Sequence, residues 1–287
     1  MSDNAPTPFP PDVCRFGEAP FPVVRLLGHP VHALTEVAAI DYILDRLAQR
    51  RGGWVATHNL DHLRRLDLDP DFEQLCATAA LRTADGKPLV WAAELRGTPL
   101  PERVAGSDMT FSLTAAAATA GRSIFLLGGS PPATPGGKST AELAADALTA
   151  RHPALRVVGT HCPPFGFETD PHSMHALHTV LLSAGPDIVY VAIGSPKQER
   201  LIMQLLPLLP RAWFLGVGIS LSFVTGEVQR APVWMRRTGL EWAHRLGQEP
   251  RRLARRYLVE GIPFAGKLLL RSLLERVSTG PPVTPRG

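Results

Sequence analysis

The sequence is poor in cysteine and has no long apolar run. Its three cysteines, Cys14, Cys76 and Cys162, lie far apart and form no C-x-x-C pair, which argues against a disulfide framework or a zinc knuckle. A membrane-spanning helix needs roughly 18 or more consecutive apolar residues, and no such run occurs. The first residues show no charged-then-apolar signal pattern. These absences predict a protein of the reducing cytoplasm.

The composition is that of an ordinary folded domain, but the charge is unevenly placed. Apolar residues make up 45% of the 287 residues and charged residues 20%, which excludes the disordered, collagen-like and coiled-coil classes. At about 150 residues per domain, this length predicts one large or two small domains. The formal net charge is +4, yet the segment 230–276 holds ten arginines and one lysine against four glutamates. A roughly neutral body therefore carries a cationic C-terminal segment.

Short apolar runs alternate with helical patterns along the chain. This alternation is typical of a parallel sheet covered by helices on both faces, so the sequence predicts the α/β fold class. The predicted strands are 23–27, 54–57, 81–84, 123–127, 156–158, 187–193 and 213–217. The predicted helices are 35–50 with Thr35 as N-cap, 69–79, 88–96, 108–120, 138–151, 171–184 and 197–206.

Four segments are predicted along the chain. Proline-rich ends over 1–22 and 278–287 are expected to be poorly ordered tails. They flank an α/β catalytic domain over 23–229 and a basic, helical C-terminal appendage over 230–277.

Polar or glycine-rich residues follow five of the predicted strands. Ligands of such sheets bind beyond the carboxyl ends of the strands. Glycine lets backbone N–H groups approach an anion, and helix N-termini add further donors. The loops therefore predict a site for a phosphorylated ligand, although glycine also ends strands for purely structural reasons. The loops are Thr57-His58-Asn59, Asp85-Gly86, Gly128-Gly129-Ser130, Gly194-Ser195-Pro196-Lys197-Gln198-Glu199 and Gly216-Val217-Gly218.

Candidate site residues lie in these loops and in the segment before the helix predicted at 108–120. Asp85 leaves a predicted strand directly into the cleft, where it is either a general base or the N-cap of the next helix. Arg103, before a helix that Ser107 or Asp108 can cap, either clamps a diphosphate or is simply solvated. Gln198, with Lys197 and Glu199 at the start of a helix, could hydrogen-bond a sugar or a phosphate. His58 is a contact candidate.

Two further patterns suggest metal sites but have simpler explanations. Asp67-Leu68-Asp69-Pro70-Asp71 contains D-x-D twice, and hard cations prefer carboxylate oxygens; Asp69 before Pro70 is however a typical N-cap. His172, His175 and His178 follow one another at every third position, but no H-E-x-x-H pattern is present, which favours an exposed helix face. Walker A and G-x-G-x-x-G spacings are also absent. We expect no metal and no cofactor.

The C-terminal segment combines basic residues with an apolar face. Leucines at 269, 270, 273 and 274 lie opposite Lys267, Arg271 and Glu275, an amphipathic pattern that suits an anionic membrane surface. An ordinary helix packed on the protein's own core is the alternative. Nucleic acid is disfavoured because no aromatic residues are interleaved with the basic ones.

Taken together and in order, several motifs resemble the WecG/TagA/CpsF glycosyltransferase family. The likeness extends from about residue 23 to residue 258. The motifs are Thr57-x-Asn59-x-Asp61-His62, Ala84-Asp85-Gly86, Glu102-Arg103-Val104-Ala105-Gly106-Ser107-Asp108, Gly194-Ser195-Pro196-Lys197-Gln198-Glu199-Arg200, Gln229-Arg230-Ala231-Pro232, Leu240-Glu241-Trp242, Arg245, Pro250-Arg251-Arg252 and Arg256-Tyr257.

The resemblance implies a Rossmann-like enzyme at the cytoplasmic face of the cell membrane. Such an enzyme transfers a sugar, often N-acetylmannosamine, from a UDP donor to a polyprenyl-diphosphate-linked acceptor with inversion and without a bound metal. Asp85 would be the general base, Thr57 and Asn59 would line the sugar site, and Arg103 and Gln198 would contact the donor. The resemblance assigns Arg230, Arg237, Arg245, Arg252 and Arg256 to the appendage, where the first two are candidate substrate contacts.

Some details of this reading stay open. The segment His161-Cys162-Pro163-Pro164-Phe165-Gly166 and Ser222 depart from the family's usual pattern, so the donor could be another UDP-hexose. A non-catalytic nucleotide- or lipid-binding module and a D-x-D metal-dependent transferase are the alternatives. Assembly into a homo-oligomer is open.

Overall fold

A six-stranded parallel sheet forms the centre of the computed structural model, which describes residues 10–279. The strands lie in the order β4-β3-β8-β7-β5-β6. The α/β prediction is therefore confirmed. The strands of this sheet are β3 (Gly53–His58), β4 (Leu81–Ala84), β5 (Ser123–Gly128), β6 (Arg156–His161), β7 (Ile188–Ala192) and β8 (Trp213–Gly216), and an antiparallel hairpin is formed by β1 (Val23–Leu26) and β2 (His29–His32).

The hairpin corrects one prediction. A strand does begin at Val23, but it pairs with β2 rather than joining the parallel sheet. Leu27 and Gly28 connect the two strands with φ of +50° and +86°, the double positive φ of a tight two-residue turn.

Helices cover both faces of the sheet. All seven predicted helices are present, whereas α2 and α9 are helices that the sequence reading missed. The helices are α1 (Glu36–Ala48), α2 (Leu60–Leu68), α3 (Pro70–Ala77), α4 (Lys87–Arg96), α5 (Gly106–Thr119), α6 (Thr140–Arg151), α7 (Pro171–Ala184), α8 (Lys197–Leu205), α9 (Ser220–Thr225), α10 (Val233–Thr238), α11 (Glu241–Gln248), α12 (Pro250–Ala254) and α13 (Ile262–Thr279), with a π-helical segment at Arg255–Gly261.

Helix caps confirm two sequence predictions and correct a third. The Thr35 hydroxyl accepts a hydrogen bond from the Ala38 amide at 3.1 Å, and Asp69 caps α3. Helix α5 begins at Gly106 after Ala105 and has no side-chain cap. Ser107 and Asp108 therefore do not cap it, and their side chains are available for contacts across the site.

Strand alternation divides the core into two layers. Because successive side chains point to opposite faces, Phe125 and Phe214 pack on one side of the sheet with α2, α3, α4, α7, α8 and α13. Leu126 and Leu215 pack on the other side with α1, α5, α6 and α9. Two buried faces explain why these strands read as continuous apolar runs.

The proline-rich N-terminal segment is partly ordered, contrary to expectation. Val13 and Cys14 are buried. The Cys14 amide donates to the Gly52 carbonyl at 2.8 Å, and the Gly52 amide donates to the Asp12 carbonyl at 3.0 Å. These bonds fix residues 10–22 against the start of β3. Residues 1–9 and 280–287 of the predicted tails lie outside the described residues.

The last helix has one buried face and one exposed apolar face. Phe264 and Leu268 of α13 are buried in the core, as the simpler alternative predicted. On the other side, Leu270, Leu273 and Val277 are 59%, 45% and 76% exposed. Among residues 10–279, no helix has both the length and the apolarity needed to cross a membrane.

Candidate active site

A cleft of about 910 Å³ opens at the carboxyl ends of the parallel strands. The loops after β3, β4, β5, β7 and β8 form its floor, and the helices after β8 form one wall. The predicted site residues that line it are Thr57, Asn59, Asp85, Arg103, Gly128, Gly129, Gly194, Lys197, Gln198, Gly216 and Gly218. Four others, His58, Glu199, Arg230 and Arg237, do not line it.

Adjacent strands bring Asp85 next to the Thr57 loop. Strands β3 and β4 pair with His58 opposite Ala84, and the Asp85 amide donates to the His58 carbonyl at 2.7 Å. The start of α5 packs closely below, because a Cβ on Gly106 would lie 3.0 Å from the Thr57 hydroxyl oxygen. Asn59 accepts a bond from the His62 amide at 3.0 Å, so its side chain caps α2 while it lines the cleft.

Asp85 has the environment of a base rather than of a helix cap. The N-cap of α4 is Gly86, with φ of +131° and no side-chain cap, so the capping alternative is wrong. Burial raises the pKa of the Asp85 carboxyl to about 6, against the opposing effect of Arg103. A carboxylate with this pKa is ionised at neutral pH and is still basic enough to take a proton.

Arg103 is surrounded by carboxylates. Its Nη1 lies 3.3 Å from Asp85 Oδ1 and 3.6 Å from Glu241 Oε2, while its Nη2 lies 2.5 Å from Asp108 Oδ2. Its side chain is 13% exposed, so the solvated reading is wrong. These contacts fix the guanidinium beside Asp85.

Asp108 joins the body of the protein to the helices after β8. Its Oδ1 lies 2.6 Å from Arg230 Nη2 and 3.2 Å from Arg236 Nη1. Arg230 also donates to the Ser107 hydroxyl at 2.9 Å. Arg230 therefore serves this ion-pair network rather than the cleft surface, and Arg237 is exposed outside the cleft. Both differ from their prediction as substrate contacts.

Gln198 and Glu199 point inward. Both are 4% exposed. The Gly218 amide donates to Gln198 Oε1 at 3.1 Å, and Gln198 Nε2 donates to Glu199 Oε1 at 2.9 Å. Gln198 reaches the cleft wall but uses its amide to hold the loop after β8. The prediction that Glu199 faces the cleft is wrong.

Gly216 leaves room for Gln198, which packs directly against it. A Cβ at Gly216 would lie 2.5 Å from Gln198 Nε2. We expect Gly216→Ala to lower the free energy of unfolding by about 1–3 kcal/mol, since a buried side chain has to move. Chemical denaturation measures this. Gly247→Ala is the matched control, because a Cβ there meets nothing within 4 Å; equal destabilisation of both variants would contradict the packing argument.

His58 is a core residue and not a ligand contact. It is 1% exposed, and burial, together with the neighbouring His62, lowers its pKa well below the ordinary value. His62 Nδ1 lies 3.0 Å from the Thr57 carbonyl oxygen. His58 is therefore neutral and packs in the core at the end of β3.

The glycine loop after β5 has a structural role in addition to lining the cleft. Gly128 has φ of +103°, and a Cβ there would lie 2.5 Å from the Ala192 carbonyl oxygen. The Gly129 amide donates to that same oxygen at 2.9 Å. This N–H is therefore not available to an anion, which restricts the predicted amide cradle.

Basic residues of the wall were largely missed as site residues. Lys87, directly after Asp85-Gly86, lines the cleft, and so does Arg236. Lys87 could have been found, since it follows the strand-end motif immediately. Of the five arginines assigned to the appendage, three also line the cleft: Arg245, Arg252 and Arg256. Eight basic and five acidic side chains line the cleft, so its net charge is positive, which suits a diphosphate.

The suggested metal patterns form no site in the described structure. Asp69 caps α3, Asp67 pairs with Lys267, and His172 and His175 are exposed on α7. Within residues 10–279 no group of three or more His, Cys, Asp or Glu side chains could hold a metal ion.

Comparison with known protein families gives a match over most of the chain. Residues 24–278 match the model of the glycosyl transferase WecG/TagA/CpsF family. The match covers nearly the whole chain, from the start of the hairpin into α13, and so includes the basic wall of the cleft.

Proposed function

Because the chain belongs to the glycosyl transferase WecG/TagA/CpsF family, and is therefore a glycosyltransferase of cell-surface polysaccharide synthesis, we propose the following reaction. The enzyme transfers N-acetylmannosamine or a related hexose from a UDP donor to a polyprenyl-diphosphate-linked saccharide, with inversion and without a metal. It acts at the cytoplasmic face of the membrane. The observation that carries the proposal is the half-buried Asp85 beside Arg103 in a cationic cleft.

Asp85 is the general base. Its carboxylate takes the proton of the acceptor hydroxyl while the hydroxyl oxygen attacks the anomeric carbon from the side opposite the donor phosphate. The bond between the anomeric carbon and the phosphate oxygen breaks, and UDP leaves with the bonding electron pair. A base with a pKa near 6 suits this step at neutral pH. Thr57 and Asn59, at the neighbouring strand end, bind the sugar.

The cationic wall stabilises the leaving diphosphate. Lys87, Arg236, Arg245 and Arg252 line the cleft, and guanidinium groups bind phosphate oxygens bidentately. The N-terminus of α5 adds the positive end of the helix dipole. Arg103 contacts the donor from beside the base. These groups balance the charge that develops on the leaving diphosphate, without a metal ion.

The segment 230–277 is the membrane-association appendage. Exposed apolar residues lie on α13 and on the helices before it, among them Leu270, Leu273 and Trp234. The exposed arginines that do not line the cleft, such as Arg251 and Arg271, would meet anionic headgroups. A lipid-linked acceptor is confined to the membrane, so an enzyme that uses it gains from binding there. Helix α13 also packs on α4, which fixes this apolar face relative to the cleft.

The membrane role predicts the effect of removing the apolar face. Leu270→Glu/Leu273→Glu should lower binding to anionic liposomes by at least about 100-fold, because each buried leucine contributes about 1.5–3 kcal/mol. Co-sedimentation measures this. Leu182→Glu is the control, since Leu182 is 50% exposed on α7. Equal sedimentation of the two variants would remove α13 from membrane binding.

A donor screen tests the proposed reaction. Purified protein is mixed with a polyprenyl-diphosphate-linked saccharide and single UDP-sugars in the presence of EDTA, and products are identified by mass spectrometry. Transfer of one hexose, lost in Asp85→Asn, is the expected result. Transfer lost on chelation would favour a metal-dependent enzyme, and binding of donor without transfer or hydrolysis would favour a non-catalytic module.

A further inference from the structure

A second carboxylate, supplied by the helices after β8, shares the guanidinium that faces the base. Glu241 is the first residue of α11. Its Oε2 lies 3.6 Å from Arg103 Nη1, the same nitrogen that lies 3.3 Å from Asp85 Oδ1. The side chains of Asp85 and Glu241 are 24% and 22% exposed. One donor group is thus divided between a residue of the sheet domain and a residue of the C-terminal helices.

The position of Glu241 makes it part of the charge balance around Asp85. A guanidinium nitrogen shared by two carboxylates holds each of them less strongly than a single partner would be held. The other terminal nitrogen of Arg103, Nη2, pairs with Asp108, so Asp85 pairs with Nη1 only. Removing Glu241 would leave Nη1 to Asp85 alone.

Several other charged side chains lie around the Asp85–Arg103 pair, and none of them has the position of Glu241. Those around Asp85 and Arg103 are Asp108 on α5, Glu36 on α1 and Glu241 on α11, with Arg230 and Arg236 reaching Asp108. Arg103 lowers the pKa of Asp85, whereas Glu241 and Asp108 raise it. Asp108 and Glu36 come from the sheet domain. Glu241 alone among these carboxylates belongs to the segment after residue 229.

We propose that Glu241 is a positioning residue that couples the C-terminal helices to the basicity of Asp85. The Glu241 carboxylate shares Arg103 Nη1 with Asp85, so Asp85 is held less strongly and accepts the acceptor proton more readily. Without the Glu241 carboxylate, Nη1 would serve Asp85 alone and make it a weaker base. This inference rests on the proposed role of Asp85.

The pH dependence of transfer tests this coupling. Glu241→Gln keeps the size of the side chain and removes its charge, so the acid limb of kcat should move to lower pH, by about half to one pH unit. At about pH 8, kcat should fall about 3–10-fold, because the base is weaker and more tightly paired. The donor KM should change less than about threefold, since Glu241 is not assigned to the donor. Glu241→Asp keeps the charge, so its acid limb should lie between those of Glu241→Gln and the wild type.

A matched charge removal distinguishes coupling from loss of an ion pair. Glu275→Gln removes a carboxylate that joins α13 to Arg96 at 3.2 Å and does not line the cleft. Its acid limb should coincide with that of the wild type. If Glu241→Gln also coincides with the wild type while Asp85→Asn is inactive, the coupling is wrong and the proposed function stands. If the wild type shows no transfer, or no acid limb, both are wrong.

Discussion

Replacement of Asp85 by asparagine is expected to lower kcat by about 10²–10⁴-fold, the usual contribution of a general base. Asparagine has nearly the same shape and can still accept a bond from Arg103, but it cannot take a proton. The donor KM should change little, because the lost interaction forms only as the proton moves. Steady-state transfer assays over a range of donor concentrations separate these two constants.

The same variant should remain folded, which makes its loss of activity interpretable. The folded-state pKa of Asp85 is raised from 3.8 to about 6. The protonated carboxyl therefore favours the folded state, and that contribution is lost as pH rises through about 6. Asparagine does not ionise, and Arg103 keeps Asp108 and Glu241. A melting temperature at about pH 8 no lower than that of the wild type is expected; unfolding would void the kinetic comparison, and full activity would remove Asp85 from the mechanism.

Replacement of Arg103 by alanine is expected to have the second-largest effect, a loss of about 10²-fold or more in kcat/KM. Two causes add. The donor loses a contact beside the base, and Asp85 loses the cation that lowers its pKa. The acid limb should therefore move above about pH 6, opposite in direction to the shift expected for Glu241→Gln. The pH dependence of kcat/KM measures both effects together.

An arginine elsewhere in the fold is the control for this variant. Arg122 pairs with Asp187 at 3.4 Å before β5, at the opposite end of the sheet from the cleft. Arg122→Ala removes the same side chain and one ion pair, and its pH dependence should match that of the wild type. An unshifted acid limb in Arg103→Ala would contradict the electrostatic link between Arg103 and Asp85.

The sequence predicted those elements whose residues form an unbroken apolar run or a clear helical pattern. Strands such as β5 and β7 are buried on both faces, so they read as apolar runs. Strand β2, with the sequence His29-Pro30-Val31-His32, has no such run, and it forms because a turn folds it onto β1. Helix α2 was missed because charged residues dominate it. The structure of β2 and of α2 therefore depends on neighbouring elements and not on local sequence alone.

The sequence predicted which residues belong to the site better than it predicted where their side chains point. Strand-end motifs predicted Asp85 and Gln198, and the motif before the 108–120 helix predicted Arg103; all three line one cleft. The inward turn of Gln198 depends on Gly216 across the sheet, which no local pattern contains. The role of Asp108 as partner of three arginines likewise depends on helices about 120 residues later in the chain. Long-range packing of this kind cannot be read from spacing.

The rate of sugar transfer as a function of pH, with EDTA present, shows whether Asp85 is the general base. Wild-type enzyme and Asp85→Asn are compared on the same lipid-linked acceptor between about pH 5 and 8. The role of Asp85 as general base predicts a wild-type rate that falls below about pH 6, and a variant whose residual rate lacks that limb. A wild-type rate that is independent of pH over this range, or a variant with the same profile, would contradict it.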